Sequence, residues 1–536
     1  MGSIYQSHFF RTLNKTFILR ISEFLLPNDS TLKPRISLRG LLLLGALIHF
    51  GFSALLTLSV DEAHYALYAQ HLALSYFDHP PLVGWVQWPL VYVNAPDWVL
   101  RLIPQACWWL ATVMAWHLAE QLRRTVPIWS DSIPPGAAGR WAVIAILVAP
   151  VMHVLGVGLL PDTLLLVIVL GIMQTTLHLI HATPAAPTPH DSLLACPSPL
   201  KYWVYLGVWL GLAGLSKYTA VLFAIAVAGA LVINLGWKVL LQRGPWLAVL
   251  IAGVMIAPVI IWNAQHDWVS FAYQIKHSSG SSWHIKGIGV FIGLQIAAFG
   301  PLIVAIIIGV IKFLRQQPNR IIWGLSLFII VPFVVTAYMA GGGRTLAHWL
   351  APAWLTAIVL GANPLALHWQ LGKHKALAII VSIQAVLCGL AFIMLFFVGV
   401  PGLNAQHPLH QKNPLADLWG WDQAGQLAQT LAQQQSLQIL TVSNWTLASR
   451  LSWYARPLPV QVLDDRFDQF DIWFGSPQKG QDTLYINWSQ VPYQPPVSAQ
   501  QYARCIELDQ LAVQRLGRVT SQFTYYRCED WQGKTK

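Results

Sequence analysis

Residues 41–85 read LLLLGALIHFGFSALLTLSVDEAHYALYAQHLALSYFDHPPLVGW, and the change of character at position 61 decides how the chain is to be read. Leu41 to Val60 carry no charged residue, and about 20 mainly apolar residues suffice to cross roughly 30 Å of hydrocarbon. The run stops at two adjacent acids, Asp61 and Glu62. The same pattern recurs along the chain. Apolar segments at 36–58, 98–120, 140–160, 162–181, 202–216, 218–237, 246–263, 288–311, 321–340, 346–362 and 376–400 predict about eleven membrane-spanning helices. Of the 536 residues, 55% are hydrophobic and only 10% charged, with 26 tryptophans. A soluble chain carries roughly a quarter charged residues, so this balance excludes disorder, coiled coils and most cytosolic enzymes. The fold class expected is a polytopic α-helical membrane protein.

The formal net charge of +11 sits entirely in the membrane half, because 11 Lys and Arg after residue 400 are balanced by 11 Asp and Glu. With the N-terminus cytoplasmic, 17 of the 22 earlier cations fall on the cytoplasmic side, the bias that orients membrane proteins. Arg101, Lys217, Lys276, Lys286 and Arg344 fall at the opposite face and are functional candidates. Residues 1–35 alternate Phe10, Leu13, Phe17, Ile21 and Phe24 with Arg11, Lys15 and Arg20, a pattern suited to an interfacial cytoplasmic helix. Residues 36–400 form the expected transmembrane domain, with a first extracytoplasmic loop at 59–97. From 401 to 536 short alternating runs such as LQILTVSNW and DTLYINW predict a small extracytoplasmic α/β domain. It holds Cys505 and Cys528, either a periplasmic disulfide or two free thiols. Residues 182–200 read as a Pro-rich cytoplasmic loop.

Six of the eleven acids of the membrane half lie on the extracytoplasmic side: Asp61, Glu62, Asp78, Asp97, Asp162 and Asp267. Carboxylates are costly to remove from water, so acids clustered at one membrane face invite a functional reading. Pro80 and Pro81 force Asp78 and His79 into an extended segment. Asp162 follows Pro161 at a helix start, where it either caps the helix or serves as a base or acceptor-positioning group. Lys217 in GLSKYTA and Arg344 in GGGRTLAHW stand beside glycines, suited to hold a phosphate or to snorkel toward headgroups. His79, His266, His277, His284 and His348 fall near the same face with spacing unsuited to a metal. Tryptophans near the span ends belong to aromatic belts.

DEAHY, YFDHPPL, LLPDTLLL, GLSKYTA, NAQHDWVSF and AHWLAPAW, in that order, resemble bacterial members of glycosyltransferase family 39. These belong to the GT-C superfamily, with the protein O-mannosyltransferases and the lipid A aminoarabinose transferases. The resemblance spans most of residues 36–362. It implies transfer of a hexosyl or pentosyl unit from a polyprenyl-phosphate donor to an envelope lipid, glycan or protein, with inversion, outside the bacterial plasma membrane. It maps the catalytic acid onto Asp61, with Glu62 beside it and Asp162 as a further site acid. Asp78 and His79 become active-site loop residues, and Lys217 and Arg344 contacts to the donor phosphate. Aminoarabinose transferases carry Lys where this chain has His79, which argues against aminoarabinose as the sugar and lipid A as the acceptor. The eukaryotic mannosyltransferases' extra soluble repeat domain is missing.

Asp61 as general base requires no cofactor, and a divalent cation held by Asp61, Glu62 and Asp162 is the alternative. Two other functions fit a helical bundle with polar residues: a secondary transporter, and a polysaccharide polymerase or ligase. A transporter would show paired halves with broken helices at mid-membrane, and no pseudo-repeat is visible. Nucleic acid is not an expected partner.

Overall fold

In the computed structural model the described residues are 37–182, 200–279, 282–343, 345–399, 413–490 and 501–533. The expected interfacial helix, the Pro-rich loop, the side chain of His277 and Arg344 lie outside them. The longer helices of the membrane half are α1 (Leu38–Leu55), α2 (Val60–Gln70), α3 (Leu82–Tyr92), α4 (Leu102–Thr125), α5 (Ala137–Leu147), α6 (Pro150–Val157), α7 (Pro161–Ala182), α8 (Leu200–Ser216), α9 (Val221–Leu235), α10 (Arg243–Gln265), α11 (Val269–Ser279), α12 (Ile285–Phe299), α13 (Leu302–Gln316), α14 (Arg320–Gly342), α15 (Ala351–Gln370) and α16 (His374–Phe397).

Each of the eleven expected segments is helical. Seven are long and apolar enough to cross a membrane unbroken, and nine if the bent pairs α5–α6 and α12–α13 each count as one span. The remaining two are α4, diluted by Gln105 and His117, and α8, with 17 residues. The expectation of about eleven is thus met as helices, while seven to nine have the length and apolarity of spans. Helices α7 and α15 form the centre, with 83% and 94% of their apolar stretches buried inside the protein. For α10 and α16 that share is 22%, leaving their Val, Leu and Ile side chains facing outward, as helices in contact with lipid require.

The two bends share one cause. Chain direction changes by 76° before Pro150 and by 104° at Gly300 and Pro301, where Gly300 adopts φ 81° and proline removes a backbone donor. Breaking a helix inside a bilayer strands backbone groups that water cannot reach. Gln384 of α16 serves both breaks. Its amide donates to Val148 O at 3.1 Å and Phe299 O at 2.8 Å, and its Oε1 accepts from Leu302 N at 2.9 Å.

After α16 the chain builds an α/β unit from α17 (Trp421–Gln434), β1 (Leu440–Val442), α18 (Trp445–Tyr454), β2 (Val460–Val462), α19 (Gln469–Phe474), β3 (Thr483–Trp488), β4 (Tyr502–Arg515) and β5 (Arg518–Trp531). The sheet order is β2-β1-β3-β5-β4, parallel among the first three strands and antiparallel through β5. Cys505 and Cys528 sit directly opposite on β4 and β5 and are joined as a disulfide. This unit is not tethered loosely. Ala63, Ala66 and Leu67 of α2 belong to the same apolar core as Trp421, Leu447 and Leu451, so α18 seats α2 against the C-terminal unit.

Replacing Gln384 by Leu keeps the volume and removes three hydrogen bonds to backbone. Unpaired buried backbone groups cost about 1–3 kcal/mol each. Gln384→Leu is therefore expected to lower thermal stability in detergent clearly; a melting temperature equal to wild type would contradict this role.

Candidate functional site

The junction between α1 and α2 places the first acid. Ser59 opens α2 with a capping box: its hydroxyl accepts from Glu62 N, and Glu62 Oε2 accepts from Ser59 N at 3.0 Å. Arg101, 1% exposed, donates to both Glu62 oxygens at 2.7 and 2.9 Å. It also donates to the carbonyls of Ser53, Leu56 and Thr57 at the end of α1. Glu62 and Arg101, expected as site residues, are thus structural partners. Successive side chains on a helix diverge by roughly 100°, and with Glu62 turned to Arg101, Asp61 turns to the other side. There it lines a cavity of about 250 Å³, whose walls include Asp61, Asp78, His79, Asp162, Lys217 and His348 but not Glu62.

Within the cavity Asp61 has no hydrogen-bond or ion-pair partner among the described residues. Burial, opposed by His64 and aided by Asp78, Asp417 and Asp162, pushes its carboxyl up to about 6. Asp78 differs. Burial works to raise it as well, but His64, His79 and the Tyr68 hydroxyl together hold it below the usual carboxylate range. Tyr68 donates to Asp78 Oδ1, and His64 Nε2 lies 3.6 Å from that oxygen. The loop carrying Asp78 is gripped through its backbone: Ser270 Oγ donates to Tyr76 O at 2.8 Å and Gln274 Nε2 to Asp78 O at 2.7 Å. Burial, reinforced by Lys217, lowers His79 to about 4, so near neutral pH it is an uncharged imidazole. Its buried Nδ1 has no partner.

Asp162 begins α7 and is 1% exposed. Lys217 Nζ meets both its oxygens, at 2.9 and 2.8 Å, and His348 Nε2 lies 3.7 Å away. The lysine expected to await a phosphate therefore already has a carboxylate partner, and it also lies 5.3 Å from the Trp349 ring centroid. Lys217 is shared with a second feature, an apolar groove of about 370 Å³ lined by Leu210, Val221, Val249, Ile256 and Phe271 of α8 to α11 and the turn between α8 and α9. Val221 and Val249 are exposed, so this groove opens on the outer face of the bundle.

No group of three His, Cys, Asp or Glu residues among the described residues is placed to hold a metal ion. The expected set of Asp61, Glu62 and Asp162 does not fit one: Glu62 is committed to Arg101 and Asp162 to Lys217. Of the expected histidines, His266 is bonded to Trp262 O and stacked on its ring, and His284 is exposed beside Ser282. Asp97 accepts from Trp453 and Tyr454, tying α18 to the membrane half.

Sequence reasoning missed part of the wall. Trp445, Arg466, Asp468 and Gln469 of the C-terminal unit line the same cavity. Arg466 donates to Tyr273 Oη at 3.0 Å, and Gln469 Oε1 accepts from Phe77 N at 2.7 Å. These residues stand hundreds of positions from Asp61 in the sequence, with no local signal. His64 did carry a signal, since it lies inside DEAHY one turn after Asp61.

Comparison with known proteins agrees with the motifs. A family model described as dolichyl-phosphate-mannose-protein mannosyltransferase matches residues 78–262, less than half of the chain. The lipid A galacturonosyltransferase RgtD of Rhizobium johnstonii is 24% identical over 330 residues, 60% of this chain and 63% of that protein. The match thus spans less than two thirds of the relative. Crystal structures of ArnT from Cupriavidus metallidurans superpose with TM-scores of 0.60 in the apo state and 0.56 with undecaprenyl phosphate bound. Each covers 90% of this chain and 97% of ArnT, at 13% and 14% identity. The chain is a multi-pass membrane protein that shares the fold of the ArnT structures.

Proposed function

We propose that the chain is an integral membrane glycosyltransferase that moves a hexosyl or pentosyl unit from a polyprenyl-phosphate donor to an acceptor on the extracytoplasmic face, with inversion. The observation that carries this reading is that Lys217 belongs both to a polar cavity holding the unpartnered Asp61 and to an apolar groove open at the side of the bundle. A lipid-linked phosphosugar needs that combination, with its prenyl chain along α8 to α10, its phosphate near Lys217 and its anomeric carbon in the cavity. The likeness to ArnT, which has been solved with undecaprenyl phosphate, supports it.

Asp61 would take the proton of an acceptor hydroxyl as it attacks the anomeric carbon from the face opposite the phosphate. Its carboxyl, pushed up to about 6, is a stronger base than an ordinary aspartate and still ionised at neutral pH. If the acceptor is a phosphate, Asp61 positions it instead. Lys217 would offset the charge growing on the departing polyprenyl phosphate, and Asp162 would keep the ammonium in place before the donor arrives. His79, neutral, would accept a hydrogen bond from a sugar hydroxyl. We place the N-terminus in the cytoplasm and the C-terminal unit in the periplasm of a bacterial inner membrane, where a disulfide such as Cys505–Cys528 persists. The acceptor class is an envelope lipid, glycan or protein, and the relative's lipid A is one such acceptor. The donor-phosphate role of Arg344 stands beside that of Lys217. The donor set leaves no metal step in this scheme.

Purified protein given labelled polyprenyl-phosphate sugar and membrane extract should release polyprenyl phosphate. Asp61→Asn should reduce that release by at least about 100-fold, the scale of a lost general base, while the donor still binds; wild-type turnover would remove Asp61 from the mechanism. Because the base must be ionised, activity should fall as pH drops through about 6, whereas a carboxylate near about 4 would hold it to lower pH. Lys217→Ala should weaken donor binding, and unchanged affinity would sink the phosphate assignment.

A further inference from the structure

The β4–β5 ribbon ends in a tip that turn chemistry alone does not explain. Arg515 and Arg518 face each other across its last rung, which leaves Leu516 and Gly517 as a two-residue loop. Both have positive φ, 50° and 76°, the turn in which Asn and Gly are preferred. A leucine is strained in that left-handed region, and this one is 57% exposed. Val519, after Arg518, is 51% exposed. Two arginines directly opposite on a ladder repel, and no Asp or Glu occurs between residues 510 and 528 to offset them. A tip selected for local stability in water would carry neither the exposed apolar pair nor the like charges.

Its position supplies the reason. The Arg515 guanidinium lies 4.3 Å from the ring centroid of Trp419 and 5.1 Å from that of Phe396. Phe396 is the last residue but one of α16, the helix whose apolar stretch is only 22% buried inside the protein. Its 24 residues rise by about 1.5 Å each, enough to cross roughly 30 Å of hydrocarbon. With Lys373 and Lys375 at one end of α16, Phe396 falls at the opposite boundary of the hydrocarbon. The hairpin tip therefore stands where acyl chains meet headgroups. There the exposed leucine and valine gain apolar surroundings, and lipid phosphates supply the anions that the ribbon lacks.

We propose that the tip of the β4–β5 hairpin docks on the lipid surface at the end of α16, with Leu516 and Val519 entering the boundary of the acyl chains and Arg515 and Arg518 meeting lipid phosphates. The C-terminal unit is then held at two points, by α18 on α2 and by this tip on the bilayer. The contact does not depend on the reaction assigned to the cavity.

The test uses the full chain in nanodiscs of phosphatidylcholine and phosphatidylglycerol in equal parts, with Cys107→Ser and Cys388→Ala removing the free thiols. A nitrobenzoxadiazole label is placed at Leu516→Cys, at Val519→Cys or, as the reference, at Lys479→Cys. Lys479 is exposed beside Gly480, whose N–H donates to Trp531 O at the far end of β5, roughly 40 Å from the tip at about 3.3 Å per residue. Labels at 516 and 519 should emit at shorter wavelength than the reference, and lipids carrying a doxyl group near the headgroup should quench them at least about 3-fold more strongly. Adding Arg515→Glu and Arg518→Glu should cut the quenching at 519 by roughly half or more; unchanged quenching would overturn the phosphate contacts. Emission and quenching at both tip positions equal to the reference would put the tip in water and overturn the proposal. A short-wavelength signal that doxyl lipids fail to quench would put it against a second copy of the chain, and would overturn it as well.

Discussion

A buried guanidinium at the end of the first helix sets the geometry on which the site depends. Arg101 collects three carbonyls of α1 and its following turn and both oxygens of Glu62. Two charges removed from water are tolerated only when such partners replace hydration, and breaking a buried pair of this kind costs about 3–5 kcal/mol. The pair therefore fixes more than a contact. It fixes where α2 starts and how it is rotated, and the rotation that gives Glu62 to Arg101 gives Asp61 to the cavity.

The carboxylates of the site are then sorted by their neighbours rather than by their chemistry. Glu62 answers to Arg101, Asp162 to Lys217 and Asp78 to Tyr68 and His64, and Asp61 alone has no partner among the described residues. An acid without a partner is pushed upward by burial, and this sets Asp61 apart in a cavity of several acids. The lysine that balances Asp162 sits where polar cavity and apolar groove meet, the boundary at which a lipid-linked phosphate would have to stop. The C-terminal unit closes the other side, since its Trp445, Asp468 and Gln469 stand in the wall and its core runs on into α2.

Much of this was legible in the sequence. Runs of mainly apolar residues announced the eleven long helical segments of the bundle, because a chain in lipid must satisfy its backbone within each segment. The bends were not legible: Gly300 and Pro301 lay inside one apparent span, and the residue that relieves the break, Gln384, lies over 80 positions away. Asp61, Asp78, His79, Asp162 and Lys217 were found as outliers in apolar surroundings, and the fold brings them into one cavity. Glu62 was misread because adjacency in sequence was taken for adjacency in space, whereas a helix separates neighbours. Arg101 was misread because an extracytoplasmic cation looks functional until its carbonyl partners are known. Trp445, Arg466 and Asp468 left no trace, since their meaning depends on how the C-terminal unit docks on α2.

In the proposed function Asp61 and Lys217 flank one phosphosugar whose prenyl chain lies in the side groove. Its most direct test is a structure of the protein with a non-cleavable polyprenyl-phosphonate sugar. The anomeric carbon is expected beside the Asp61 carboxylate, the phosphonate at Lys217 and the chain along α8 to α10. A phosphonate bound at the opposite end of the bundle, or a sugar turned away from Asp61, would contradict it.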